Sequence, residues 1–393
     1  MKINRFDAIE RFVVGLIECP ADTSSRNKFV RVILFFLKYL SFIYRTLMQL
    51  RLFLYRKGIL RHHTLGCQVI SVGNLTVGGT GKTPVVEVFS RELNKQGRKI
   101  AILSRGYKKA KPKLLKRMTD RLTFAHLRAE PRVVSDGKKL LLDSEMSGDE
   151  PYMLASNLPE AAVLVDKDRV KSGRYAINKL NCDTLILDDG FQYMALKHRL
   201  EILLVDKTNP FGNEYVIPRG TLRESIKNVR RADFIFITKS DGKDSEILRA
   251  RLRRLNPDAE IVECTHSARY LSNVFNSERK NLDYLKGLKV GVVSGIAVPG
   301  AFEGELERRG AEIVMKRRFA DHHRYSQQEI IDIINRSRKE GAKAILTTEK
   351  DAVRFPRLDR CDVPIYFLRV DIEILSGTED FHQCINRICF RHE

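Results

Sequence analysis

Val69-Ile-Ser-Val-Gly-Asn-Leu-Thr-Val-Gly-Gly-Thr-Gly-Lys-Thr-Pro84 is the stretch on which the fold turns. A β-branched apolar run enters a glycine-rich turn that closes on Gly81-Lys82-Thr83, and Val85–Leu93 then places apolar residues at helical spacing. Strand, glycine-rich loop, Lys-Thr and helix are the context of a phosphate-binding P-loop. Backbone N–H groups of residues 76–83 (Thr76, Val77, Gly78, Gly79, Thr80, Gly81, Lys82 and Thr83) can cradle phosphate oxygens at a helix N-terminus. Lys82 can reach the β- and γ-phosphates, and the Thr83 hydroxyl can hold Mg²⁺. The strict motif asks for glycine where Thr76 stands; the doubled Gly78-Gly79 supplies the missing freedom. The alternative is a glycine-rich turn with no ligand.

Working outward, strand-like runs recur at Lys99–Leu103, Ala162–Val165, Thr184–Leu187, Glu201–Val205 and Asp233–Ile237, with helical patterns between several of them. This predicts a mostly parallel sheet with crossover helices. A second alternating set runs through Leu288–Ser294, a helix at 301–309, Glu312–Lys316, a helix over Ser326–Lys339, Ala344–Thr347 and Pro364–Leu368. The polar segment 240–280 reads as the region between them. The expected division is an N-terminal extension (1–60), a P-loop domain (61–270) and a smaller α/β domain (271–393).

Leu185-Ile-Leu-Asp188-Asp189-Gly-Phe-Gln192 is an apolar strand ending in two carboxylates, where a P-loop protein carries its magnesium-side aspartate. Adjacent residues of a strand point to opposite faces, so geometry allows one of the two to touch the ion directly; the alternative is a plain turn. Gly148-Asp149-Glu150 opens a helical segment, and acidic residues there are ordinary capping. Asp321-His322-His323 lacks further ligands at zinc spacing; one of its histidines is a candidate acid–base group. Thr238-Lys239-Ser240-Asp241 follows a strand and has the form of a guanine-reading motif.

Residues 29–55 form a basic, aromatic, amphipathic pattern in which Arg31, Lys38, Arg45 and Arg51 read as one side of a helix. No run of about 18 apolar residues is present. The pattern fits a helix lying in a membrane interface, or one packed on the protein's own core. The 393 residues carry 70 Lys+Arg against 49 Asp+Glu, net +21. Such a balance suits nucleic acid, anionic lipid or a phosphorylated substrate. Seven of the Lys/Arg crowd into Arg105–Arg117, read as a solvated loop or a polyanion contact. Dispersed cysteines without a CxxC pair argue for reduced thiols and a cytoplasmic setting.

Together, Val72–Pro84, Ser104-Arg-Gly-Tyr107, Gly148-Asp-Glu-Pro151, Asp188-Asp-Gly-Phe-Gln192, Pro218-Arg-Gly-Thr-Leu-Arg-Glu224 and Phe319-Ala-Asp-His-His-Arg-Tyr325 resemble the tetraacyldisaccharide 4′-kinase family, the lipid A 4′-kinases. Ser294-Gly-Ile-Ala297 and Thr348-Glu-Lys-Asp351 add to the resemblance. It implies transfer of the ATP γ-phosphate, with Mg²⁺, to the 4′-hydroxyl of a tetraacylated glucosamine disaccharide 1-phosphate, giving lipid IVA. It also implies a P-loop NTPase-like α/β/α core, a second, smaller α/β/α domain, and an N-terminal helix at the cytoplasmic face of the bacterial inner membrane, peripheral or anchored by that single helix. Neither nucleic acid nor an obligate protein partner is expected. By the same resemblance Asp149 is the catalytic base, supported by His322 across the interdomain cleft, with Lys82 on the phosphates. Thr83, Glu150, Asp188 and Asp189 are the magnesium-side groups, and Arg105, Tyr107, Gln192 and Arg223 are near the acceptor. The sequence departs from the family pattern at Tyr193 (usually His), at Ala320 (usually Pro) and in a longer 108–145 segment. A GTP-dependent switch using Thr238–Asp241, and a nucleic-acid binder with an accessory ATPase, are the competing readings. The second lacks any recognised RNA- or DNA-binding signature.

Overall fold

A computed structural model describes residues 28–106, 129–358 and 362–389, together with Gly15. In chain order, α1 (Lys28–Arg56) precedes β1 (Gln68–Asn74), α2 (Lys82–Lys95), β2 (Ile100–Ser104), β3 (Arg132–Asp136), the single turn α3 (Ser144–Ser147), α4 (Asp149–Asn157) and β4 (Ala162–Val165). Next come α5 (Arg169–Leu180), β5 (Thr184–Asp188), β6 (Leu200–Asp206), β7 (Phe234–Thr238), α6 (Glu246–Leu255), β8 (Glu260–Asn273) and β9 (Arg279–Lys280). The chain ends with β10 (Lys289–Ser294), α7 (Pro299–Arg308), β11 (Glu312–Arg318), α8 (Gln327–Lys339), β12 (Ala344–Thr348), the short α9 (Glu349–Ala352), β13 (Ile365–Ser376) and α10 (Thr378–Cys389).

These elements form two compact units. The first comprises Met1–Ser104, Asp168–Thr265 and Glu373–Glu393; the second comprises Arg105–Lys167 and His266–Ile372. Unit one holds a parallel sheet in the order β8-β7-β6-β1-β5-β2. Alternation along its strands gives the sheet two apolar faces. Phe234 and Phe236 look to one side, where Phe236 meets Phe89 of α2 and Phe381 of α10 edge-on. Ile235 and Ile237 look to the other and pack with Leu252 of α6, while Tyr44 of α1 lies against the same cluster. Helices therefore cover both faces, the α/β/α layering of a P-loop NTPase-like core.

Unit two repeats the arrangement with β11-β10-β12-β13, all parallel. Val290, Val292 and Leu346 bury against Leu306 of α7. On the opposite face Val293 and Ile345 bury against Ile330, Ile333 and Ile334 of α8. A Ser326–Glu329 capping box starts α8, satisfying helix donors reciprocally. β3 and β4 pair antiparallel. β4, among the strand-like runs read from sequence, is a strand as expected, and its pairing with β3 is an antiparallel exception to the mostly parallel pattern. The polar segment 240–280 is also more ordered than its composition suggests. Leu248, Leu252 and Leu255 give α6 an inward stripe, and β8 runs for 14 residues.

α1 splits the sequence expectation between its two options. Leu34, Ser41 and Leu52 are buried, with the Ser41 hydroxyl donating to the Val216 carbonyl at 2.7 Å. Phe29, Phe35, Phe36, Tyr39, Phe42 and Leu47 are all half or more exposed. Arg31, Lys38 and Arg45 share one stripe. Arg51 does not, because a six-residue step turns a helix by roughly 120° away from the seven-residue line. It is half-buried and lies over the Tyr55 ring. No described helix is long and apolar enough to cross a membrane.

The strand under the phosphate loop and the turn after β5 touch without room for a methyl group. A Cβ on Gly73 would stand 2.6 Å from Phe191 Cβ and 2.7 Å from its backbone nitrogen. Gly73→Ala should therefore destabilise unit one by about 1–3 kcal/mol, read as a lowered urea midpoint at unchanged slope.

Candidate active site

In unit one the phosphate loop leaves β1 at Asn74 and enters α2 at Lys82, with Gly81 in the left-handed region at φ 79°. Gly78 adopts φ 121°, and nothing lies within 4 Å of where a Cβ on Gly78 or Gly79 would be. The loop is open above its glycines and pinned below. Its pins are Val77 N–H to the Thr221 carbonyl at 2.7 Å, Arg223 N–H to the Leu75 carbonyl at 2.7 Å, and the Thr238 hydroxyl to the Thr80 carbonyl at 2.8 Å. Asn74, which the sequence reading passed over, is fully buried; its amide donates to the Thr76 carbonyl at 2.7 Å and its oxygen accepts from Lys82 Nζ at 3.3 Å. Its position at the last residue of a strand feeding a glycine loop was the available signal.

The two carboxylates divide as strand alternation requires. Asp188 is buried at the end of β5, and one of its oxygens accepts from the Ser104 hydroxyl at 3.1 Å. Asp189, in the left-handed region at φ 57°, is gripped by Arg223 Nη1 at 2.7 and 2.8 Å, with Lys82 Nζ at 3.5 Å. Burial pushes the Asp189 carboxyl up, but the charges of Lys82 and Arg223 outweigh it and hold it below the usual range. Gln192 donates to the Asn74 carbonyl at 3.0 Å and accepts from Arg223 at 3.3 Å. Gln192 and Arg223, which the resemblance set near the acceptor, are thus tied to the phosphate loop. Arg105 is exposed after β2; Tyr107 and most of the basic run lie outside the described residues.

The donor set suits magnesium carried by a nucleotide. Mg²⁺ takes one or two protein oxygens and leaves the rest to phosphate and water. Thr83, Asp188 and Asp189 are of that kind, and the buried Thr80 hydroxyl lacks any hydrogen-bond partner. Among the described residues no group of three or more His, Cys, Asp and Glu could hold a metal by itself. Glu150 belongs to unit two.

Asp241 of the guanine-like segment is ion-paired with Lys207 at the surface, and Lys239 with Asp206 at 2.5 Å.

Unit two gathers the remaining motifs. Asp149 is the first residue of α4, after Gly148 at φ 94°. Its Oδ2 is 3.1 Å from His322 Nδ1 and accepts from Arg354 Nε at 2.9 Å, and Arg324 reaches Oδ1 at 3.5 Å. Both partners of the Asp149–His322 pair lie in this one unit, so the pair forms within a unit and not across two. The reason is that the described residues within 105–167 belong to the same compact unit as those within 266–372. His322 holds φ 65°, its N–H donating to the Gly295 carbonyl at 3.2 Å. A non-glycine residue there is uncommon.

Arg354, absent from the sequence-based candidates, organises the cluster. Its side chain is 0% exposed, and it donates to Asp351 Oδ1 at 3.2 Å and to the Gly295 carbonyl at 3.3 Å as well as to Asp149. Asp351 is completed by Gly295 N–H at 3.0 Å, the Tyr325 hydroxyl at 3.0 Å and the Thr348 hydroxyl at 2.6 Å. An Arg three residues after Asp351 in a capped helical turn was the legible hint. Burial pushes the Asp149 carboxyl up, but the His322 hydrogen bond and the Arg354 charge outweigh it and keep it low. One carboxylate oxygen is thus committed to positioning, while Oδ1, with a single distant contact, keeps accepting capacity.

The sequence profile of the family described as tetraacyldisaccharide-1-P 4′-kinase matches residues 33–389. The chain is 35% identical to a tetraacyldisaccharide 4′-kinase of Halothermothrix orenii, over 98% of this chain and 100% of that one. It is 39% identical to one of Anaeromyxobacter sp. (strain K), over 86% and 85% respectively. Among solved structures, LpxK from Aquifex aeolicus in complex with ATP matches at TM-score 0.69 and 28% identity, covering 89% of this chain and 98% of that one. The order of motifs, the open phosphate loop and the match along nearly the whole length agree, and the chain belongs to the tetraacyldisaccharide 4′-kinase family, ATP-dependent kinases of lipid A biosynthesis.

Proposed function

We propose that unit one holds the phosphate donor and that unit two carries the base which takes the acceptor proton. The observation that carries this reading is that each unit carries a preorganised charge cluster of its own. One is cationic and open, at Lys82 and Arg223; the other is a buried carboxylate, Asp149, held by His322 and Arg354. The acceptor class is the 4′-hydroxyl of an acylated disaccharide 1-phosphate, by analogy with the family's description and the relatives' names.

Phosphoryl transfer proceeds through a loose transition state, so positioning and charge neutralisation matter more than a strong base. Lys82 and Arg223 neutralise charge on the transferring phosphoryl group and are already oriented by Asp189 and Asn74. The loop's N–H groups bind the phosphate oxygens. Within unit one Thr83, Asp188 and Asp189 are the residues that would hold Mg²⁺, directly or through its water, and the ion supplies charge neutralisation when bound. Asp149 accepts the hydroxyl proton as the new O–P bond forms and the bond to the ADP leaving oxygen breaks. A carboxyl held below its usual range is ionised at neutral pH and orients the hydroxyl before taking its proton.

Lys82→Ala should lower kcat by about 10²–10³-fold, the usual loss for one preorganised electrostatic contact. The same change frees Asp189 of one cation, so a steady-state assay should also show weaker ATP saturation. Asp149→Asn should lower kcat by about 10²–10⁴-fold with ATP affinity nearly intact. Combining it with His322→Ala should cost little more, because residues acting as a unit are not additive. Full additivity would mean that the two groups act separately.

The outward apolar face of α1 and its Arg31–Lys38–Arg45 stripe support docking on the anionic cytoplasmic face of a membrane, which is where the acylated substrate would be met. Deleting α1 would also uncover the core face at Leu34 and Leu52, so exposed-face substitutions test the reading more cleanly. Phe35→Ser with Phe42→Ser should release the protein from anionic vesicles in a flotation assay. Activity on a detergent-dispersed acceptor should be preserved.

A further inference from the structure

His322 Nδ1 stands between incompatible neighbours. Asp149 Oδ2 at 3.1 Å can only accept a proton from it, whereas Arg354 Nη2 at 3.2 Å can only donate one to it. A single ring nitrogen cannot serve both. The ring has two neutral forms. In one, Nδ1–H donates to Asp149 and Nε2 carries the lone pair. In the other, Nδ1 accepts from Arg354, and Asp149 loses its histidine donor. The far nitrogen decides between them. Lys350 Nζ lies 3.4 Å from Nε2 and is a donor only, while Asp321 stays at 3.8 Å from Nε2 and also 3.7 Å from Lys350.

We propose that Lys350 is a positioning residue for the kinase reaction: by donating to His322 Nε2 it selects the Nδ1–H form of the ring, and so keeps a donor on the Asp149 carboxylate. Lys350 reaches no reacting atom in this scheme and acts only through the ring. Its backbone place supports the role. It sits in the single turn α9, fixed by the Thr348 cap and by Asp351, whose carboxylate is locked by Tyr325, Gly295 and Arg354. Glu349, the residue before it, is held by Arg369 at 2.8 and 2.9 Å and by Asn157 at 2.7 Å. The turn is thus anchored on both sides of the lysine. Lys350 itself is partly exposed and can be replaced without opening a core. Getting the ring in the wrong form is costly for a base that depends on it, and a misplaced catalytic group commonly loses about 10²-fold.

The inference rests on the reading of Asp149 as the base, and the test separates the two. Full-length protein with ¹⁵N-labelled histidine is studied by NMR at alkaline pH, with the His322 signal assigned by its loss in His322→Gln. The intact protein should show the proton on Nδ1. Lys350→Met should move it toward Nε2 and lower kcat by about 10²-fold with KM for ATP unchanged, and Lys350→Arg, which keeps a donor, should restore both. A proton on Nε2 in the intact protein overturns the inference, as does an unchanged ring signal in Lys350→Met. So does a moved proton with undiminished kcat while Asp149→Asn is inactive. If Asp149→Asn instead remains fully active, the base reading fails, and the ring signal alone still tells whether Lys350 selects the form of His322.

Discussion

A guanidinium with no solvent contact has to be met by charge and hydrogen bonds on every side, and Arg354 imposes that condition on unit two. Leaving a buried ion uncompensated costs several kcal/mol, far more than a surface pair returns. The cluster answers with Asp351 and Asp149 on two of its nitrogens and the Gly295 carbonyl on a third contact. Each acceptor comes from a different motif, so satisfying one side chain fixes the relative places of the α4 start, the β10 exit and the α9 turn. His322 is drawn in by the same requirement, since its ring and its backbone both bond into this set. A carboxylate so held has little freedom, which is what the proposed base would need in a positioning-dominated reaction.

The phosphate loop in unit one shows the complementary arrangement. Lys82 and Arg223 face a site that would receive several negative charges, and without those charges they would repel one another. Asp189 stands in for part of the missing anion, keeping both cations oriented while its own carboxyl stays ionised. The backbone hydrogen bonds from Val77 and Arg223 to the 221 and 75 carbonyls tie the loop to the segment that delivers Arg223. Preorganisation of this kind is where electrostatic catalysis draws most of its advantage, because little reorientation remains to be done during the reaction.

What could be read from the residues follows from the range of the interactions involved. Strand ends, the phosphate loop and the Asp188-Asp189 turn are local patterns, and all emerge where the sequence put them. Capping was a correct local description of Asp149, yet its burial depends on Arg354, 205 positions away, and no single-segment pattern reports that. The same limit applies to the direction of β4: its four apolar residues were legible as a strand, but its antiparallel pairing with β3 is set by residues about 30 positions earlier. β8 was missed for a different reason. Glu263, Thr265 and His266 interrupt its apolar run, and Glu263 is tolerated because Ser240, Ser245 and Arg249 satisfy its carboxylate.

α1 shows why an amphipathic pattern alone underdetermines a helix. An ordinary surface helix buries one apolar stripe and turns a polar face to water. Here a stripe through Leu34, Ser41 and Leu52 meets the domain, and a second apolar face remains on the opposite side. The basic stripe of Arg31, Lys38 and Arg45 lies along one border between them. Water is a poor neighbour for that second face, whereas a lipid interface accepts aromatic rings and places the cations at the headgroups. Under the proposed docking, such a helix would meet a bilayer without leaving its own core, so attachment and folding would not compete for the same residues.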